Sequence, residues 1–90
     1  MTRFYYVVAM KDFGSEGSIK DFSHFESQIR CLATPFNGRD VWTEGDPLTG
    51  KRWVGVTFES KELADQFKNL ATSQLDSSIR IEYQERETKT

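Results

Sequence analysis

Along the first segment of the chain Phe4, Tyr6, Val8 and Met10 alternate with Arg3, Tyr5, Val7, Ala9 and Lys11. Side chains of an extended backbone point to opposite faces in turn, so the two sets occupy opposite sides of one strand over residues 3–11. Both sets contain apolar groups, which suits a central strand. The period then changes. A loop over residues 13–17 leads to Ser18, with Asp21 three positions on, the spacing of a capping box. Ile19, Phe22, Phe25, Ile29, Leu32 and Phe36 follow near helical spacing as one apolar stripe, and Pro35 stops the helix.

The period of two returns in residues 39–44, where Val41 and Thr43 oppose Asp40, Trp42 and Glu44. Residues 45–50 contain Asp-Pro and Thr-Gly pairs and read as a turn into a third strand over 51–59, making an antiparallel hairpin. In that strand Val54, Val56 and Phe58 share one face, so Trp53 stands on the other. Ser60 is a good helix N-cap, and Leu63, Ala64, Phe67, Leu70 and Ala71 form a second helical stripe. After a loop at 76–78, Ile79, Ile81 and Tyr83 alternate with Arg80, Glu82 and Gln84 as a fourth strand. Residues 85–90 read as a polar tail.

The predicted order is βαββαβ. It implies an α+β, ferredoxin-like domain over residues 1–85, with a four-stranded antiparallel sheet carrying two helices on one face and a flexible tail over 86–90. With strands in the order 4-1-3-2, and the more apolar set of each strand turned inward, the open face receives Arg3, Tyr5, Val7, Trp42, Lys51, Trp53, Thr57, Arg80, Glu82 and Gln84. Aromatic and basic groups would then share a surface that no helix covers.

Composition narrows what that surface does. Ninety residues allow one modest core. A formal net charge of −2 argues against a general polyanion binder, whose affinity rests on neutralising phosphates with Lys and Arg. The apolar run from Phe4 to Met10 is too short to span a membrane, and Lys11-Asp12 does not resemble a signal-peptidase site, so a cytoplasmic location is expected. The single cysteine, Cys31, agrees with a reducing compartment.

The third strand also carries a family likeness. Lys51-Arg52-Trp53-Val54-Gly55-Val56-Thr57-Phe58 resembles the octapeptide of an RNA-recognition motif in its basic first, aromatic third, aliphatic sixth and aromatic eighth positions. Arg52 stands where that family has Gly, Val54 where it has a small residue, and Gly55 where it has a second stacking aromatic. The preceding Asp-Pro-Leu-Thr-Gly-Lys turn, the segment from Glu59 to Asp65 and the closing Ile79-Arg80-Ile81-Glu82 extend the likeness. It implies that Tyr5 (or Tyr6) and Trp53 stack bases while Lys51 and Arg80 meet phosphates. A looser similarity joins the chain to dimeric α+β barrel proteins of the antibiotic-biosynthesis monooxygenase group, which share the element order and cover the open face by pairing two sheets. It implies a homodimer with the exposed aromatics at its centre.

Chemistry-bearing residues are sparse. His24 and Cys31 lie seven positions apart on one helix, about 10 Å along its axis, too far for a nucleophile and base to meet. Two such ligands are too few for a structural zinc site. Asp40, Glu44 and Asp46 lack the alternating ligand loop of a calcium site and read as a solvated hairpin end. Gly14 and Gly17 do not form a phosphate loop. No catalytic constellation, metal or cofactor is expected. The expectation is a noncatalytic binding module that uses Tyr5, Trp42, Lys51, Trp53, Thr57 and Arg80. Its first expected partner is single-stranded RNA; the alternative is a protein, with the module an adaptor or small inhibitor of a larger complex, and the barrel likeness implies, as a third reading, a dimeric enzyme of the monooxygenase type.

Overall fold

The computed structural model describes residues 2–88 of the 90-residue chain. Strand β1 spans Thr2–Asp12, helix α1 Ile19–Ala33, β2 Arg39–Asp46, β3 Lys51–Phe58, helix α2 Lys61–Gln74 and β4 Arg80–Thr88. Short 3-10 turns at Gly14–Glu16 and Thr34–Phe36 flank α1. The strands form one antiparallel sheet in the order β2-β3-β1-β4, and the fold is the ferredoxin-like α+β arrangement that the element order predicts.

Local chemistry sets the helix starts. The Ser18 hydroxyl accepts the Asp21 N–H at 3.2 Å, and the Asp21 carboxylate accepts the Ser18 N–H at 3.1 Å, closing the expected capping box. The Ser18 hydroxyl also donates to the Asp21 carboxylate at 3.0 Å, and that bond, with the one from the Ser18 N–H, favours the ionised form and holds the Asp21 carboxyl below its ordinary value of 3.8. At α2 the Ser60 hydroxyl accepts the Leu63 N–H at 3.2 Å. Helix α1 stops at Ala33, two residues before Pro35, which sits in the 3-10 turn that follows. Ile19 is 81% exposed and falls outside the apolar stripe predicted for this helix: at the first position of α1 it lies short of the sheet.

One core lies between helices and sheet. Val7, Ala9, Val54, Val56 and Phe58 meet Phe25, Ile29 and Ala33 of α1 and Ala64, Phe67 and Ala71 of α2. The register fixes this face, because Tyr5, Val7 and Ala9 lie opposite Phe58, Val56 and Val54 on β3, and Val7 and Ala9 opposite Tyr83 and Ile81 on β4.

The face assigned to β1 is thereby corrected. Tyr5 and Val7, expected on the open side, point toward the helices, as Arg3 does by alternation, while Phe4, Tyr6, Val8 and Met10 take the open side. The reason is volume. Both helices push phenyl rings, Phe25 and Phe67, at the sheet, and close packing then asks for small partners such as Val7 and Ala9. The bulkier set of β1 is left for the other face. A second correction concerns the end of the chain. Strand β4 continues through Thr88, paired with β1 out to Thr2, and Arg3 bridges Glu85 at 3.1 Å and Glu87 at 2.7 Å. Of the predicted tail, residues 86–88 are strand, and 89 and 90 lie outside the described residues.

Candidate open-face binding site

Cross-strand register arranges the open face in rows. Glu44, Trp53, Met10 and Arg80 share one level, from β2 through β3 and β1 to β4. Trp42, Gly55, Val8 and Glu82 share the next, and Thr57, Tyr6 and Gln84 the one after. Phe4 lies beyond, opposite Arg86. At the other end Asp46, Lys51 and Asp12 make a charged row. An apolar strip of Phe4, Tyr6, Val8, Met10, Trp53 and Trp42 therefore runs down the centre, edged by charge. Phe4 and Tyr6 pack ring to ring at 6.2 Å. Val8 retains only 7% of its accessible surface although it lies on the uncovered side.

The sequence-predicted site residues are partly brought together. Trp42, Lys51, Trp53, Thr57 and Arg80 all lie on this face, and Tyr5 does not; the tyrosine found there is Tyr6. Lys51, Trp53 and Arg80 join Val8, Met10 and Glu82 around a shallow concavity of about 230 Å³. Phe4, Val8 and Met10 were missed as site residues, and Tyr6 entered only as the alternative to Tyr5, although the unbroken alternation of the four signalled a shared face.

Gly55 has a packing role that the octapeptide does not reveal. A Cβ built on it would fall within the Trp42 indole, whose five-membered edge and adjoining ring lie directly over the glycine. The aromatic missing from β3 is thus supplied from the neighbouring strand. A register shift in β2 between Arg39 and Trp42, with Asp40 at a φ of 49°, marks a bulge. It turns Val41 toward the core while Trp42 lies across Gly55, and the indole keeps 38% exposure.

Charge on this face is mixed. Lys51, Arg80 and Arg86 stand among Asp12, Glu44, Asp46 and Glu82, and at the far edge Arg39 meets Glu59 at 2.8 Å. Among the described residues Glu44, Lys51, Arg80, Glu82 and Arg86 form no ion pair within the chain.

The helix side offers different groups. His24 and Cys31 line a groove of about 370 Å³ with Ser27, Gln28, Leu32, Gln74 and Leu75, and the thiol is exposed. Beneath the helices the Tyr83 hydroxyl is enclosed with no hydrogen-bond partner, and burial, aided by the Glu85 and Asp65 charges, pushes its pKa above 10.0. No helix among the described residues is long and apolar enough to cross a membrane.

No family model matches the chain, and no curated protein resembles it in sequence. Its structure is similar to the crystal structure of PA3566 from Pseudomonas aeruginosa, with a TM-score of 0.54 and 10% sequence identity, covering 100% of this chain and 98% of that one. At that identity the similarity shows the shared fold alone.

Proposed function

We propose that the chain is a noncatalytic binding module whose open sheet face receives the surface of a protein. The observation that carries this is the apolar strip from Phe4 to Trp42, bordered by charges of both signs of which Glu44, Lys51, Arg80, Glu82 and Arg86 form no ion pair among the described residues. Exposed apolar surface rimmed by polar groups is what a protein interface requires, with Trp and Tyr as the residues that anchor it. A phosphate backbone asks instead for a cationic surface, and here Asp12, Glu44, Asp46 and Glu82 more than offset Lys51, Arg80 and Arg86.

Single-stranded RNA is the second reading. It is favoured by the concavity that Trp53 lines together with Lys51 and Arg80, a place for one stacked base and its phosphates.

The two readings separate by anisotropy with a labelled 12-nucleotide single-stranded RNA at low salt, run beside capture of proteins from the native host. The protein reading expects no saturable RNA binding, and proteins retained by the native chain that Trp53→Lys and Tyr6→Lys release. Micromolar RNA binding that weakens with salt and with Trp53→Ala would overturn it in favour of RNA. Capture indifferent to both lysine substitutions would move the site off this face.

A further inference from the structure

Strand β3 carries a second chemistry on its helix side. Arg52 alternates with Lys51 and Trp53, so it lies on the face of Val54, Val56 and Phe58. Its guanidinium sits over the Phe22 ring of α1, 4.4 Å from the centroid. On the neighbouring strand Gly45 makes the space, because a Cβ there would fall on that guanidinium. The stacked cation is half-buried, and among the described residues it forms no ion pair. Glu26, which shares a small recess with it, is engaged by Arg30 at 3.2 Å.

Arg52 borders a cavity of about 310 Å³ at this end of the sheet. Two loops converge on it, the one that follows β1 and the turn of the β2–β3 hairpin. They meet at Gly14 and Gly50, whose φ values of 66° and 79° lie in the left-handed region, and a Cβ on Gly50 would strike the Gly14 backbone. The Phe13 N–H donates to the Gly50 carbonyl at 3.0 Å and fastens the two loops together. Gly17 lines the same cavity, with no room for a Cβ beside Phe13 and Phe22, and Ser15 adds a hydroxyl. Asp46 also reaches the lining but is already engaged: its Oδ1 accepts the Leu48 N–H at 3.0 Å, and Lys51 stands opposite it in register. Among the described residues of the lining, Arg52 is the charge left without a counterpart.

We infer that this cavity binds a small molecule by an oxyanion, a phosphoryl or carboxylate group gripped by Arg52. A guanidinium stacked on an aromatic face keeps its N–H edge for a two-pronged contact with such a group. Held by Phe22 before the ligand arrives, it loses less freedom on binding. A space of about 310 Å³ stands at the small end of ligand pockets and holds about ten water-sized groups, so it suits a small molecule. Neither loop has the spacing of a phosphate loop; the fold joins Gly14 and Gly17 to Gly45 and Gly50 from a separate part of the chain. Arg52 is also where the octapeptide departs from the glycine of an RNA-recognition motif, and the departure gives β3 a second use. The site lies apart from the open face and holds whatever that face binds.

The test is a titration of the isotope-labelled chain, followed by amide chemical shifts, with sodium phosphate, phenyl phosphate and benzoate at an ionic strength held constant with chloride. Saturable shifts are expected at Gly14, Gly17, Gly45 and Gly50, with a dissociation constant of about 1 mM for the tighter aromatic probe. Phenyl phosphate binding above benzoate assigns the phosphoryl group, and the reverse order the carboxylate. Arg52→Gln should weaken binding about tenfold or more, the loss of charge-assisted hydrogen bonds. Gly45→Ala keeps the charge but moves the guanidinium from its seat, and should weaken binding as well. Arg80→Gln, on the open face, should leave it unchanged. Circular dichroism verifies folding, and the Gly45→Ala arm decides the matter if Arg52→Gln does not fold.

Shifts that stay linear with concentration for all three probes, or that chloride alone reproduces, overturn the site. So does binding that Arg52→Gln leaves intact, or that Arg80→Gln weakens equally, since general charge attraction then accounts for it.

Discussion

Gly55 and Trp42 show how a single missing side chain shapes the surface. The indole lies where a Cβ of residue 55 would be, so Gly55→Ala must either lift the ring or bend β2 away from β3. Overpacking of this kind costs about 1–3 kcal/mol, and chemical denaturation should show a loss in that range with a shift in tryptophan emission. Combining it with Trp42→Ala should recover part of the loss, because the clash then has no second party. The octapeptide likeness made Gly55 visible as an absent aromatic, but not as the seat of another one. That depends on a bulge at Asp40 whose positive φ no periodicity announces. Tyr5 and Tyr6 pose the same difficulty: adjacent residues of one kind carry no information about which face is inward, and the choice is made by phenyl rings on the helices, far away in sequence.

At the level of elements the alternation and the caps were highly legible. Ser18 with Asp21, Ser60, and the Val54-Val56-Phe58 face each rest on interactions within a few residues, and each stands as predicted. The end of β4 was not, since Gln84-Glu85-Arg86-Glu87-Thr88 is polar on both faces and becomes a strand only by pairing with β1 and by the bridges from Arg3. A chain ending at Glu85 should therefore lose more than a tail. It strips the partners of Phe4 and Arg3, and its Tm should fall by about 4 °C or more, a shift equivalent to about 1 kcal/mol in a domain of this size. Arg3→Ala in the full-length chain should produce a smaller fall, because exposed ion pairs contribute little beside the backbone ladder. A Tm unchanged by the truncation would show that the pairing from Phe4 outward adds nothing to stability.

The whole molecule is one sheet with one buried side, and both helices share that side. Phe67 touches the rings of Phe58 and Phe36, at 5.1 and 6.4 Å, and joins α2 to the sheet and to the turn after α1. Phe67→Ala should cost about 3–5 kcal/mol, read as one cooperative loss of helix and strand signals in denaturant. Separate transitions for the helices and the sheet would contradict a single core. The kink in β2 has a consequence on a larger scale still. A sheet of this kind has two bare borders, and copies that joined β4 of one to β2 of the next would grow into a ribbon without end. The bulge between Arg39 and Trp42 breaks the hydrogen-bonding row along β2 at its outset, and the exposed Asp40 and Glu44 burden the same border with charge. Lateral growth into fibrils is thereby blocked at one border, and a ribbon that must use both borders cannot propagate.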